Sequence, residues 1–211
     1  MARDPLLRAI NSCLIGIGES PVSSSDDPSM DVSIATEVIE RVNEDLQAGG
    51  WWFNKEENWK IKIDPVTGYM TPPVNAISIL NNDKVKYQQL TIRSGRIYDV
   101  DNHTYDLRTI AGDDGVISFT FILQLELADT PPVYQATVNA VSRRQFAQDL
   151  EVDPSRWNFQ KSDEDQAMAL LYREDGRNAK RNYLRDSPAA QTLNALMGGT
   201  GLTGFPQRNL R

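Results

Sequence analysis

Cysteine and histidine are nearly missing from this chain, which holds one of each in 211 residues. Cys13 alone cannot close an intramolecular disulfide. Together with His103 it cannot supply the thiolate and imidazole set of a common zinc site within one chain. Apolar runs fall far short of the roughly 18 residues needed to span a bilayer. The opening Met-Ala-Arg-Asp-Pro lacks the apolar stretch and small-residue cleavage site of a secretory signal. These absences predict a protein kept in a cytosol, or in a particle assembled there. Basic residues are outnumbered too, 22 against 29 acidic, for a net charge of −7. Duplex affinity comes largely from basic groups displacing counterions, so the chain is a poor general nucleic-acid binder. It could still surround DNA without gripping it.

The apolar residues that are present change their period along the chain, and a length of 211 residues allows one good core or two small ones. Leu6, Leu7, Ile10, Cys13, Leu14 and Ile17 recur at spacings of three and four, which predicts a helix over 5–17. Pro5 suits its first turn and Gly18 its exit. A polar loop with Pro21 and Pro28 follows. A second helix is expected from about Asp31, with Ile34, Val38, Ile39, Val42 and Leu46 on one face and Gly49-Gly50 as its stop. Trp51, Trp52 and Phe53 come next. With Trp59 they form either a bridge between helices and sheet or an interface anchor of the kind that dominates hot spots.

From Trp59 to Leu127 the period becomes two. Lys60-Ile61-Lys62-Ile63 alternates into a hairpin turn at Asp64-Pro65-Val66-Thr67-Gly68. Short strands are expected at Ala76–Leu80, Val85–Thr91, Arg96–Val100 and Thr104–Leu107, with turns at Asp101-Asn102 and Asp113-Asp114-Gly115. A last strand covers 116–127, where Ile117, Phe119, Phe121, Leu123, Leu125 and Leu127 all project to one side. Burying those six is worth on the order of 9–18 kcal/mol before entropy.

Pro131-Pro132 then opens a third helix to about Leu150, with Tyr134, Val138, Val141, Ala147 and Leu150 facing inward. A fourth is expected after Ser162 as N-cap, with Asp163, Glu164 and Asp165 in its first turn. Its apolar line is Ala167, Leu170, Leu171 and Leu184. Residues 186–211 are glycine-rich with few apolar anchors. Ordering such a segment costs roughly 1–2 kcal/mol per residue, so it reads as a tail or as an arm ordered on a partner.

Catalytic signals are weak. Gly16-Ile17-Gly18 ends a helix, whereas a dinucleotide fingerprint needs a strand before it and a helix after. Cys13 lies on an apolar face, where a buried structural thiol is the simpler reading. His103 lies in a polar turn, without the neighbours a Ser-His-Asp triad would need. Asp26/Asp27 and Asp113/Asp114 are the obvious carboxylate pairs, and both occupy turn sequences that favour aspartate for backbone reasons. They support only a runner-up function, a glycan hydrolase using a carboxylate pair. Arg173, Arg177, Lys180 or Arg181, and Arg185 recur at three and four, giving a basic stripe. It is either a solvated face suited to a helix C-terminus or a docking surface for an acidic partner.

A set of short sequences carries a resemblance. They are Ile17-Gly18-Glu19-Ser20-Pro21-Val22, Ala48-Gly49-Gly50-Trp51-Trp52-Phe53-Asn54, Tyr98-Asp99, Pro131-Pro132 and Ser142-Arg143-Arg144-Gln145-Phe146. In this order, over residues 10–185, the chain resembles the tail tubular protein A family, tail adaptors of short-tailed, autographivirus-like bacteriophages. The resemblance implies an α+β fold: a four-helix bundle with an inserted antiparallel β-rich platform and an extended C-terminal arm. On this chain those parts correspond to 1–50 with 131–185, then 51–130, then 186–211.

The resemblance further implies a virion structural protein of the phage tail, assembled in the host cytoplasm, with no reaction, cofactor or metal. Twelve copies would form a ring between the portal and the tail nozzle protein (tail tubular protein B). DNA would pass through this ring without specific binding, and copies each carrying −7 would discourage it from sticking. Partner contacts are expected from the stripe Arg173, Arg177, Lys180, Arg181 and Arg185, and from Phe205 and Arg208 in the arm, the part least like the family.

Overall fold

The computed structural model describes residues 4–80, 89–111, 114–150 and 154–178, with side chains from 159 onward in the last segment. Within them the fold is mixed α+β, with four helices and two small antiparallel sheets. Helix α1 spans Pro5–Ile17. The Asp4 carboxylate caps it by accepting from Leu6 N, and Gly18 ends it at φ +95°, the left-handed conformation that glycine adopts cheaply. Helix α2 spans Met30–Gln47, with Ser29 as N-cap. Helix α3 spans Pro132–Asp149 and packs on α1, α2 and α4 (Pro154–Asn178). Ile10, Leu14, Val38, Ile39, Tyr134, Val138, Phe146 and Leu171 are among the side chains that build one apolar core between these helices.

A second core lies under the sheets. Strands β1 (Lys55–Lys62) and β2 (Ala76–Leu80) flank β5 (Val116–Leu123) in the order β1-β5-β2, all antiparallel. Strands β3 (Leu90–Arg93) and β4 (Arg96–Asp99) form a two-stranded ribbon. Ile61 pairs with Ile117, Trp59 with Phe119 and Ile79 with Phe121. The β1 register slips between Glu56 and Trp59, where Asn58 takes φ +60°. A bulge and exposed Lys60 and Lys62 blunt this outer strand against pairing with other chains. Ile117, Phe119, Phe121 and Leu123 alternate into the second core with Met70, Ile97 and Leu107.

The expected helix over 5–17 and strand over Ala76–Leu80 have those bounds in the structure. Five expectations are corrected. The long strand ends at Leu123, and Leu127 sits in a short 3-10 turn, Leu127–Asp129, and packs into the helical core. The fourth helix begins at Pro154, so Ser162 is mid-helix, and Asp163 and Glu164 face arginines of α3 in place of a helix start. Leu170 is 45% exposed, because the inward side of α4 is the one that carries Gln160, bonded to Gly16 O of α1, Glu164, paired with Arg144 of α3, and the core residue Leu171, about a quarter-turn away. Thr104–Leu107 is no strand. Thr104 makes a single bridge to Asp99, whose carboxylate instead accepts from the backbone of Asp101 and Asn102 in the turn. At Asp64–Gly68 the chain does reverse, with Asp64 N donating to Tyr69 O, but the returning segment runs to the ribbon, where Ile97 N donates to Met70 O. Part of the strand expected at Val85–Thr91, together with Asp113, Leu184 and the arm 186–211, lies outside the described residues.

Candidate interaction surfaces

The last turn of α2 joins the helical core to the sheet core through amide side chains. Gln47 is fully buried and treats Leu125 as a strand neighbour would. Its Nε2 donates to Leu125 O at 2.8 Å, and its Oε1 accepts from Leu125 N at 2.8 Å. Asn43 Nδ2 donates to the same carbonyl at 3.2 Å. Asn54 Nδ2 donates to Gln47 O and to Leu123 O, each at 3.0 Å. Tyr134 Oη donates to Asn43 O, and burial raises the pKa of this phenol. Buried backbone polar groups need such partners, and here side chains supply them at the point where the strand stops. Asn43 and Gln47, four apart on the side that also carries Ile39, were the available sequence signal.

The aromatic trio covers this joint. Trp51 is buried, its Nε1 donates to Leu46 O at 2.6 Å, and its ring lies 5.4 Å from Tyr172. Phe53 meets Tyr134 edge-on at 4.9 Å, while Trp52 N donates to the Asp175 carboxylate at 2.9 Å. Trp59 is separate, edge-on to Phe121 in the sheet at 6.3 Å. Trp51, Trp52 and Phe53 therefore fasten α2, α3 and α4 to each other, all on the helical core. A cleft of about 750 Å³ opens beside them, lined by Trp52, Lys55, Glu57, Tyr172 and Asp175. A groove of about 620 Å³ runs along α1, between Arg8, Asn11, Ile15 and Arg143.

Helix α4 is tied to α3 by charge. Arg143 pairs with Asp163, and Arg144 with Glu164, which Lys161 also reaches at 2.9 Å. Burial alone would raise the Glu164 pKa, but hydrogen bonds from Arg144 and Lys161, with their charges, leave it below the ordinary carboxylate range. Of the basic stripe, Arg173 and Arg177 are exposed on α4, and Arg177 pairs with Glu174 one turn earlier. Lys180, Arg181, Arg185, Phe205 and Arg208 lie outside the described residues.

The candidate chemical groups that lie among the described residues have these surroundings. Cys13 is buried, and desolvation pushes its thiol up to about 12 against the opposing charge of Arg143. His103 is exposed in a turn at φ +53°. Asp27 accepts from Ser29 N and Asp114 from Val116 N, the backbone duties expected of turn aspartates. No cluster of three metal-ligating side chains occurs among the described residues. A family model described as Tail tubular protein matches residues 7–181.

The chain belongs to the tail tubular protein family. Among curated proteins, none matches it significantly. As a tail tubular protein it is a structural component of a phage virion tail. That role asks for surfaces that meet other subunits, so the exposed faces of α2 and α4 weigh more than any pocket.

Proposed function

We propose that this tail tubular protein is the ring-forming adaptor that connects the portal to the tail nozzle and forms part of the DNA ejection conduit. The observation that carries the proposal is the family match across 7–181, which spans helices and sheets alike. Two features of the molecule support it. The helical and sheet cores are locked by buried amide hydrogen bonds, which suits a part that must hold its shape under load. The net charge of −7 on each copy suits a channel that DNA must traverse without adhering.

In this reading 1–50 and 131–185 form a four-helix bundle, 51–130 an inserted platform and 186–211 an extended arm. Twelve copies make the ring. The stripe Arg173, Arg177, Lys180, Arg181 and Arg185, with Phe205 and Arg208 of the arm, meets the neighbouring components. Electron-microscopic class averages of the protein mixed with its portal test the reading. A closed ring seated on the portal is the expected result, and a monomer that never associates with portal or nozzle would falsify it. Deleting 188–211 should weaken attachment; undiminished binding removes the arm from the mechanism.

A further inference from the structure

Two helix faces turn to solvent and carry opposite charge. On α4, spacings of three and four align Phe159, Ser162, Gln166, Leu170, Arg173 and Arg177 on one exposed stripe. Phe159 is 79% exposed there. On α2, Met30, Ser33, Glu37, Glu40 and Glu44 form a second stripe, exposed throughout, with Met30 at 77%. Glu37, Glu40 and Glu44 join no ion pair among the described residues, and Arg41 beside them is already paired with Asp149. Like charges three and four apart on a helix repel. The face therefore lacks a cation that the described part of the chain does not supply.

The placement of the two helices suits a contact between copies. They hold different flanks of α3: Asn43 and Arg41 of α2 meet Tyr134 and Asp149, whereas Ala167 and Glu164 of α4 meet Thr137 and Arg144. Both finish at the same end of the molecule, where Trp51 and Trp52 after α2 touch Tyr172 and Asp175 of α4. A rotation that builds a ring about an axis along the helices keeps that end on one side. Met30 to Glu44 and Phe159 to Arg173 are also the same number of residues apart, about 21 Å along each helix. Set side by side and running the same way, the stripes bring Met30 to Phe159 and Glu44 to Arg173.

We propose that the outward face of α4 docks on the outward face of α2 in a second copy of this chain. The contact is heterologous, apolar at one end and charged at the other, and repetition closes a ring. It rests on the ring reading above and deepens it by naming the partner of Arg173, while Arg177 stays beside Glu174 of its own helix and adds to the positive charge of that end.

Sedimentation velocity on the full chain tests it with two charge-reversed variants, Glu40→Arg with Glu44→Arg, and Arg173→Glu with Arg177→Glu. Wild-type association should weaken about tenfold or more between about 50 and about 500 mM salt. Each variant alone should lose association. An equimolar mixture should regain it, because each variant then offers the face the other needs. Variants that assemble as wild type does, or a mixture that stays apart, overturn this inference and leave the adaptor reading standing. A wild type that forms no assembly, alone or on the portal, overturns both. Should a reversed variant misfold, the neutral changes Glu40→Gln with Glu44→Gln and Arg173→Gln with Arg177→Gln replace it. These must weaken association and flatten its salt dependence; no change in either is a refutation.

Discussion

Gln47→Ala removes the group that joins the two cores, and its cost can be worked from the contacts. The substitution orphans Leu125 N–H, whose acceptor is Gln47 Oε1, and Asn43 Oδ1, which receives Gln47 Nε2 at 3.0 Å. Leu125 O keeps Asn43 Nδ2 as a donor, so it stays satisfied. Two stranded polar groups cost about 1–3 kcal/mol each, with the lower half favoured where water can reach Leu125, which is only partly buried. The missing side-chain atoms leave a cavity worth about 1 kcal/mol more. The sum is about 3–5 kcal/mol, at least about a fifth of the stability of an ordinary domain at about 5–15 kcal/mol. Urea titration followed by tryptophan fluorescence reads it directly, since Trp51 and Trp52 lie at the joint. The midpoint should fall with little change in slope, and Gln47→Leu should recover only the cavity part. A loss below about 1 kcal/mol for Gln47→Ala would show that the amide clamp is solvated and does not join the cores.

Further outcomes follow from single contacts. Gly50 holds φ +73°, and a Cβ there would stand 2.6 Å from Ile122 Cδ1, so Gly50→Ala should cost about 1–3 kcal/mol and lower Tm by several degrees; an unchanged Tm refutes the close approach. Cys13 should resist thiol reagents at pH 8, with a thiolate fraction on the order of one in ten thousand, and react freely only in denaturant; fast native labelling contradicts its burial. The Glu164 carboxyl sits below its ordinary value in the folded chain, so it stabilises above the unfolded pKa of about 4.3 and loses this as pH falls through the folded one. Acid titration should therefore show wild type losing its advantage over Glu164→Gln below about pH 4, and a pH-independent difference would refute the ion-pair account.

Much of the fold was legible because it follows from local periodicity. Helices α1 and α2 declared themselves through apolar spacing, Pro5, and the glycines at 18 and 49–50, and β5 through strict alternation. Failures came where one local signal served two physical ends. Asp163 and Glu164 satisfy the rule for a helix start, yet they serve Arg143 and Arg144 some twenty residues earlier, a pairing no window-based reading detects. Leu127 continues the β5 alternation by count but belongs to the other core, because Gln47 takes over the backbone of Leu125. Of the candidate surface, the basic stripe was visible as spacing. The complement proposed for it on α2 was not, since an acidic face means nothing until the opposing face is known to be open.

The exposed face of α4 also bears on how firmly that helix is held. Over 159–178, Leu171 is the one fully buried apolar side chain, worth about 2 kcal/mol of burial. The largely exposed pair Arg143–Asp163 adds about 0–1 kcal/mol, and the more buried Arg144–Glu164 pair offsets much of its gain against desolvation. Even a helix of 25 residues draws most of its stability in a folded protein from packing of an apolar face. Its local opening in the free chain should then cost less than opening α3, which buries Tyr134, Val138 and Phe146 in the core. Hydrogen exchange should show α4 amides over 159–178 exchanging at least tenfold faster than those of α3 in the monomer. On assembly the difference should shrink, because a neighbour covering Phe159 and Leu170 adds the burial the helix lacks. Protection of α4 equal to that of α3 in the monomer would mean that the helix is complete without a neighbour, and its open face would then be ordinary solvated surface.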